Sequence, residues 1–114
     1  MKETMTAGEL GTTYFAELVA VVSELRSLFP FGGVFKSSLA VERTGGIGEI
    51  AFPSGLWFEL YNPGNGWRYT SSRQVAAYGS TRPVAVESCE HVRALAEADL
   101  ARSAWIGAGE MQHG

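Results

Sequence analysis

The chain has 114 residues and a mass of 12.3 kDa, which suits one domain with a single modest core. Nine Lys and Arg residues against twelve Asp and Glu residues give a net charge of −3, which argues against a protein that binds mainly to nucleic-acid phosphates. Hydrophobic residues make up 46% of the chain, and this content excludes disorder across its body.

Hydrophobic periodicity predicts a helix followed by strands. Apolar residues recur every three or four positions over residues 13–29, and Pro30 ends this amphipathic helix. Alternation with a period of two then predicts an antiparallel sheet of four to five strands. The strand segments are residues 34–43, 47–52, 56–61, 67–70 and 84–86, with further strand character at residues 75–78.

Two starts of the first helix fit the sequence. Thr6 and Glu9 have the spacing of a capping box, which would begin the helix early. An N-cap threonine at positions 12–13 instead keeps Gly11 out of the helix, where glycine is unfavourable. We prefer the later start, which leaves residues 1–12 as a flexible segment.

The clearest hairpin joins residues 56–61 to residues 67–70 through a two-residue loop at Gly64-Asn65. This loop pairs Leu60 with Tyr69, whereas a shift of one residue would bury Arg68 beside Leu60. The hydrophobic pattern therefore selects the first register. One face of the hairpin then carries Leu56, Phe58, Leu60, Trp67 and Tyr69, and the other carries Trp57, Glu59, Tyr61, Arg68 and Thr70.

A second helix is predicted over residues 89–105, with Ser88 as its N-cap, and the tail at residues 107–114 is expected to be flexible. The predicted fold class is therefore α+β, with an N-terminal helix, an antiparallel sheet of four to five strands and a C-terminal helix. Both helices are expected on one face of the sheet. These elements form a single domain over residues 13–106.

Cysteine content and hydropathy predict where the protein resides. Cys89 is the only cysteine, so an intramolecular disulfide and a multi-cysteine metal cluster are excluded. The first apolar stretch, residues 14–29, contains three charged residues and lacks the basic leader of a signal peptide. We therefore expect a cytoplasmic protein that does not bind membranes.

No residue pattern predicts catalysis, a metal site or a cofactor. Cys89 and His91 lie near a helix start, where a thiolate is stabilised, but His91 points about 160° away from Cys89. The glycine-rich turn at residues 44–49 lacks the Lys-Ser/Thr ending of a phosphate-binding loop. Glu59 lies between two aromatic residues that favour a raised pKa, but sequence alone places no second carboxylate beside it. We therefore expect a protein that is not an enzyme.

The predicted outer face of the hairpin is the best candidate for a binding site. Trp, Tyr and Arg dominate binding hot spots, and their combination suits a protein partner. The competing interpretation is that a second layer, formed by residues 73–87 or 1–12, covers these aromatic side chains. The candidate partner-binding residues are Trp57, Glu59, Tyr61, Arg68 and Arg73.

Two resemblances to known families follow from these elements. The order helix, three strands, helix is similar to the double-stranded-RNA-binding domain, but residues 88–91 lack that family's lysine cluster. The aromatic hairpin, residues 56–70, and the Ala/Glu-rich segment 92–100 together resemble small phage and mobile-element proteins, including anti-CRISPR and toxin-immunity proteins. That resemblance implies a compact, acidic, non-catalytic inhibitor that docks on a larger protein.

The leading hypothesis is therefore a binding or inhibitory protein whose partner is a larger protein or complex, such as the nucleic-acid-binding surface of a bacterial defence complex. A homodimer formed through the aromatic face is an alternative. A second hypothesis is a small-molecule or nucleotide binder, with its ligand between sheet and helices. A third is weak nucleic-acid binding through Arg43, Arg68, Arg73 and Arg82, which the net charge disfavours.

Overall fold

A computed structural model of the protein describes residues 6–28, 33–41 and 45–113, with side chains described up to Arg102. The elements are three α-helices, one short 3₁₀ turn and five strands, which confirms the predicted α+β class. In chain order they are α1 (Ala7–Leu25), the 3₁₀ turn Arg26–Leu28, β1 (Lys36–Val41), β2 (Gly46–Ala51), β3 (Trp57–Asn62), β4 (Arg68–Ser71), α2 (Ser72–Tyr78), β5 (Val84–Ala85) and α3 (Cys89–His113).

The five strands form one antiparallel sheet in the order of the chain, β1-β2-β3-β4-β5. In the central hairpin Leu60 pairs with Tyr69 and Phe58 pairs with Ser71, so the predicted register is confirmed. The side-chain amide oxygen of Asn62 holds the hairpin loop, because it accepts hydrogen bonds from the backbone N–H groups of Gly64 (2.7 Å) and Gly66 (3.1 Å).

Helices α1 and α3 pack on the same face of the sheet. Residues directly opposite each other in a sheet point to the same side, so Gly48, Leu60 and Tyr69 share one face. A methyl group at Gly48 would collide with the ring of Phe15 in α1. The Tyr69 hydroxyl donates a hydrogen bond of 2.6 Å to Asp99 in α3. The core therefore lies between this face and the two helices.

That core is one continuous apolar cluster. Its α1 members recur every three or four residues, and its strand members alternate, as amphipathic elements require. The most deeply buried apolar side chains are Leu18, Val21, Val22, Ile50, Phe58, Leu60, Tyr69, Val92, Ala96 and Leu100.

The preferred late start of the first helix is wrong. Thr6 is the N-cap of α1, and it forms a full capping box with Glu9. Gly11 therefore lies inside the helix, and a methyl group there would collide with the indole of Trp67. Close packing of helix on hairpin thus outweighs the poor helix propensity of glycine. The α-helix ends at Leu25 and a 3₁₀ turn follows over Arg26–Leu28, so α1 stops short of the predicted end at residue 29; Pro30 lies outside the described residues.

The strand character expected at residues 75–78 is also wrong. These residues belong to α2, which ends at Gly79 in the left-handed conformation (φ 81°). The Gln74 side chain then holds the following loop through two hydrogen bonds to the backbone of Arg82, of 2.8 and 2.9 Å. The strand expected at residues 84–86 is present as β5 and is only two residues long.

Helix α3 is longer than predicted, because it continues past residue 105 to His113. Together with the early start of α1, this extends regular structure beyond both ends of the predicted domain. The flexibility expected of residues 1–12 and 107–114 stays a prediction, although residues 7–12 are helical.

Candidate docking surface on the open sheet face

The side of the sheet away from the helices is called the outer face here. Alternate residues of β2, β3 and β4 point to it, because their neighbours in sequence point into the core. Its side chains on these three strands are Ile47, Glu49, Ala51, Trp57, Glu59, Tyr61, Arg68 and Thr70.

The outer face is buried at Thr70, which is 2% exposed, and is more open around its two aromatic residues. Trp57 and Tyr61 are both partly exposed there. Helix α2 lies on the helical side instead, where its residues Arg73 and Gln74 line a cleft with α3. The start of α1 packs on Trp67, also on the helical side. Of the segments expected as a second layer, α2 and the described start of α1 therefore lie on the helical side and not over these aromatic side chains.

Two carboxylates oppose each other at the centre of the outer face. Glu49 of β2 pairs directly with Glu59 of β3, and neither forms an ion pair with any described residue. Like charges directly opposite in a sheet are destabilising. Together with Ala51 and Trp57, these carboxylates line a shallow cavity of about 260 Å³. The arrangement would attract a cation, with the Trp57 ring beside it.

The surroundings of Glu59 favour its protonated form. Partial burial raises the pKa of the Glu59 carboxyl above its usual value, and the Glu49 carboxylate raises this pKa further. The Thr70 hydroxyl partly offsets the rise by stabilising the charged form. A positive group from outside would reverse the shift.

Arg68 lies at the hairpin end of the outer face, opposite Tyr61. Its guanidinium makes two long hydrogen bonds, of 3.5 Å to the backbone oxygen of Trp67 and 3.4 Å to the Asn65 side chain. It forms no ion pair with any described residue, so its charge is available to a partner. The outer face therefore carries both signs of charge, with the acidic pair at its centre.

Arg73 does not belong to the outer face. The chain turns into α2 at Ser72, whose hydroxyl accepts a hydrogen bond of 3.0 Å from the backbone N–H of Trp57. This turn carries Arg73 to the helical side of the sheet. The structure therefore brings together Trp57, Glu59, Tyr61 and Arg68 and separates Arg73 from them.

The other chemical candidates lack the geometry of a reactive site. Cys89 is partly buried against the core, and burial together with the Glu17 carboxylate raises the pKa of its thiol, which disfavours the thiolate. Residues 46–49 of the glycine-rich turn are part of β2. Within the described part of the chain, no three His, Cys, Asp or Glu side chains are grouped closely enough to bind a metal.

Glu49 is the functional candidate that sequence reasoning missed. Strands β2 and β3 are joined by the three-residue loop Pro53-Ser54-Gly55, in which the Gly55 N–H donates to the Phe52 carbonyl (3.0 Å) and the Phe52 N–H donates to the Leu56 carbonyl (2.8 Å). This loop sets the register that places Glu49 opposite Glu59, but no loop length was predicted for residues 53–55. The sequence did contain one signal for this candidate: each of the two glutamates occupies a strand position whose neighbours in sequence point into the core.

No family model, curated protein or solved structure matches this chain. One further finding concerns the helices: within the described residues, none combines the length and hydropathy needed to cross a bilayer.

Proposed function

We propose that this protein is a non-catalytic binding protein, and that its outer face docks on a basic surface of a larger protein. One observation carries the proposal: Glu49 and Glu59 oppose each other beside Trp57, and the three line a cavity that opens on the outer face. A cytoplasmic location remains our expectation, since Cys89 is the only cysteine.

Charge complementarity is the reason for choosing a basic partner. The acidic pair costs the free protein stability, and this cost disappears when a Lys or Arg side chain binds between the two carboxylates. The Trp57 ring would add a cation–π contact to the same group. Tyr61 and Arg68, which pair with each other at the hairpin end of the outer face, provide the aromatic and guanidinium contacts that are typical of binding hot spots.

Inhibition is the form of binding that this surface suits best. Proteins that bind nucleic acids do so with basic surfaces. Lys36 of β1 pairs with Ala51 and so points to the outer face as well, and the acidic character is therefore confined to the centre of that face. A sheet face with such an acidic centre would occlude a basic surface on docking, without any chemical step. This is the activity implied by the resemblance to anti-CRISPR and immunity proteins, and a bacterial defence complex is therefore our proposed partner.

A comparison of two double variants tests the proposal. The chain is immobilised and challenged with a lysate of its host, and bound proteins are identified by mass spectrometry. The unmodified chain should retain a basic partner, and Glu49→Gln/Glu59→Gln should lose it. The matched control Glu87→Gln/Glu90→Gln removes the same charge from exposed residues before and within α3, and it should retain the partner.

Three outcomes would contradict the proposal. Equal retention by both double variants would exclude the acidic pair as the contact. Retention by a Trp57→Ala/Tyr61→Ala/Arg68→Ala variant that remains folded would exclude the outer face. A self-association constant that falls with the same substitutions would instead identify a second copy of this chain as the occupant. Weakening of partner binding by salt should accompany the expected result.

A further inference from the structure

A second cavity lies on the helical side of the sheet, between α2, β5 and α3. It has a volume of about 260 Å³. Three arginines from separate parts of the chain line it: Arg73 in α2, Arg82 in the loop before β5, and Arg102 in α3. This concentration of positive charge occurs in a protein whose net charge is −3. The proposed docking of the outer face does not account for this positive charge, because the cavity is not part of that face.

These arginines lack the partners that a structural role would supply. None of the three forms an ion pair with a described residue. The Nε atom of Arg73 is buried and has no hydrogen-bond acceptor among the described residues. Leaving a charged donor buried and unsatisfied is costly, so an acceptor from a bound molecule is the simplest explanation.

The single carboxylate in the cleft is already occupied. Asp99 Oδ2 accepts hydrogen bonds of 2.6 Å from the hydroxyls of both Tyr69 and Ser71. Asp99 also leaves the cleft with an excess of two positive charges, because three guanidinium groups face one carboxylate. A phosphate monoester carries about −1.5 to −2 charges at neutral pH, which matches this excess better than one carboxylate does.

Contacts between residues of the cleft fix part of its shape. Gln74 bonds both the N–H and the carbonyl of Arg82, and the Arg82 guanidinium lies 4.1 Å from the centre of the Tyr78 ring. Val84 and Leu95 add apolar walls. An anionic group can therefore meet an Arg82 guanidinium whose position is set in advance, while a small apolar body contacts the walls.

We propose that this cleft binds a small organic phosphate through Arg73, Arg82 and Arg102. The proposal does not depend on docking by the outer face, since the two surfaces lie on opposite sides of the sheet. It also revises the nucleic-acid hypothesis. Arg73 and Arg82 line the cleft and Arg68 lies on the outer face, so these three do not form one strip; Arg43 lies outside the described residues.

The test uses inorganic phosphate, phenyl phosphate and benzoate, titrated into the full-length protein at constant ionic strength. NMR signals of the arginine Nε–H groups report binding. We expect saturable shifts at Arg73, with phenyl phosphate binding tighter than inorganic phosphate and benzoate binding weakest. Arg73→Gln should weaken phenyl phosphate binding about tenfold. The control Lys36→Gln removes one charge from the distant edge strand β1 and should leave the affinity unchanged.

Arg102→Gln provides a second variant in case Arg73→Gln fails to fold, because Arg102 is exposed at the surface. It should weaken binding in the same direction. Shifts that rise linearly with every anion, without saturation, would overturn the site. Tighter binding of benzoate than of phenyl phosphate would overturn the assignment to phosphates. Equal weakening by Lys36→Gln would show that only net charge matters.

Discussion

The two sides of the sheet contain similar residues in opposite surroundings. The same hairpin sends Trp67 and Tyr69 to the helical side and Trp57 and Tyr61 to the outer face. On the helical side Trp67 is 2% exposed and Tyr69 is 1% exposed, whereas both outer aromatic residues remain partly exposed. A Trp and a Tyr therefore form the core on one side and a surface on the other.

The charged residues show the same contrast. Between α1 and α3, Arg93 forms ion pairs with Glu17 (2.8 Å), Glu24 (2.7 Å) and Glu97 (3.2 Å). Hydrogen bonds to these carboxylates raise the pKa of Arg93 above its usual range. On the outer face, two carboxylates instead oppose each other. Paired charges thus lie between α1 and α3, whereas charges without an ion pair lie at the two places where we propose binding, the outer face and the arginine-lined cleft.

The largest expected effect comes from truncating each tryptophan in turn, which tests whether the two sides of the sheet contribute differently to stability. Trp67→Ala should lower the free energy of unfolding by about 3–5 kcal/mol, because it removes a buried indole from the core. Trp57→Ala should cost much less, about 1 kcal/mol, since its side chain is already partly exposed. Urea denaturation followed by circular dichroism measures both values. Equal losses would show that the outer face is part of the core.

A smaller loss of stability is expected from a substitution at the contact between α1 and the hairpin. Gly11→Ala should lower the free energy of unfolding by about 1–3 kcal/mol, because the added methyl group overlaps with the Trp67 indole. Helix propensity alone would give a gain of about 1 kcal/mol. The reference variant is Ala20→Gly at an exposed position of α1, where propensity alone should apply. Stabilisation by Gly11→Ala would contradict the contact.

The smallest change in stability, a gain instead of a loss, is expected from a substitution in the acidic pair of Glu49 and Glu59. Glu59→Gln should raise the free energy of unfolding at neutral pH by about 0.2–1 kcal/mol, because it removes the repulsion from Glu49. The folded pKa of Glu59 is raised, so the folded state binds the proton more tightly than the unfolded state does. Stability should therefore fall as pH rises from the unfolded pKa through the folded one.

Denaturation of the unmodified chain and Glu59→Gln over this pH range checks the prediction. The decline in stability should be smaller in the variant, and the two curves should converge at low pH, where Glu59 is protonated in both states. If Glu59→Gln proves less stable than the unmodified chain at neutral pH, the acidic pair is not repulsive. The same substitution is expected to weaken partner binding, so stability and binding would change in opposite directions.

The sequence by itself determined the local features of this protein. Alternation of apolar residues and the Gly64-Asn65 loop specified the hairpin register, because a shift of one residue would have buried Arg68. Apolar periodicity located α1 and α3, and the capping box of Thr6 and Glu9 was visible before the structure. These features depend on interactions between residues that are close in sequence.

Only the tertiary structure decided which residues from distant segments meet. Gly11 is helical because Trp67 packs on it, which local propensity does not reveal. Arg73 lies away from the outer face because the chain turns into α2 at Ser72. The apolar and small residues at positions 75–78 of this helix had suggested a strand. Contacts between segments arise from packing of the whole core, so no local pattern specifies them.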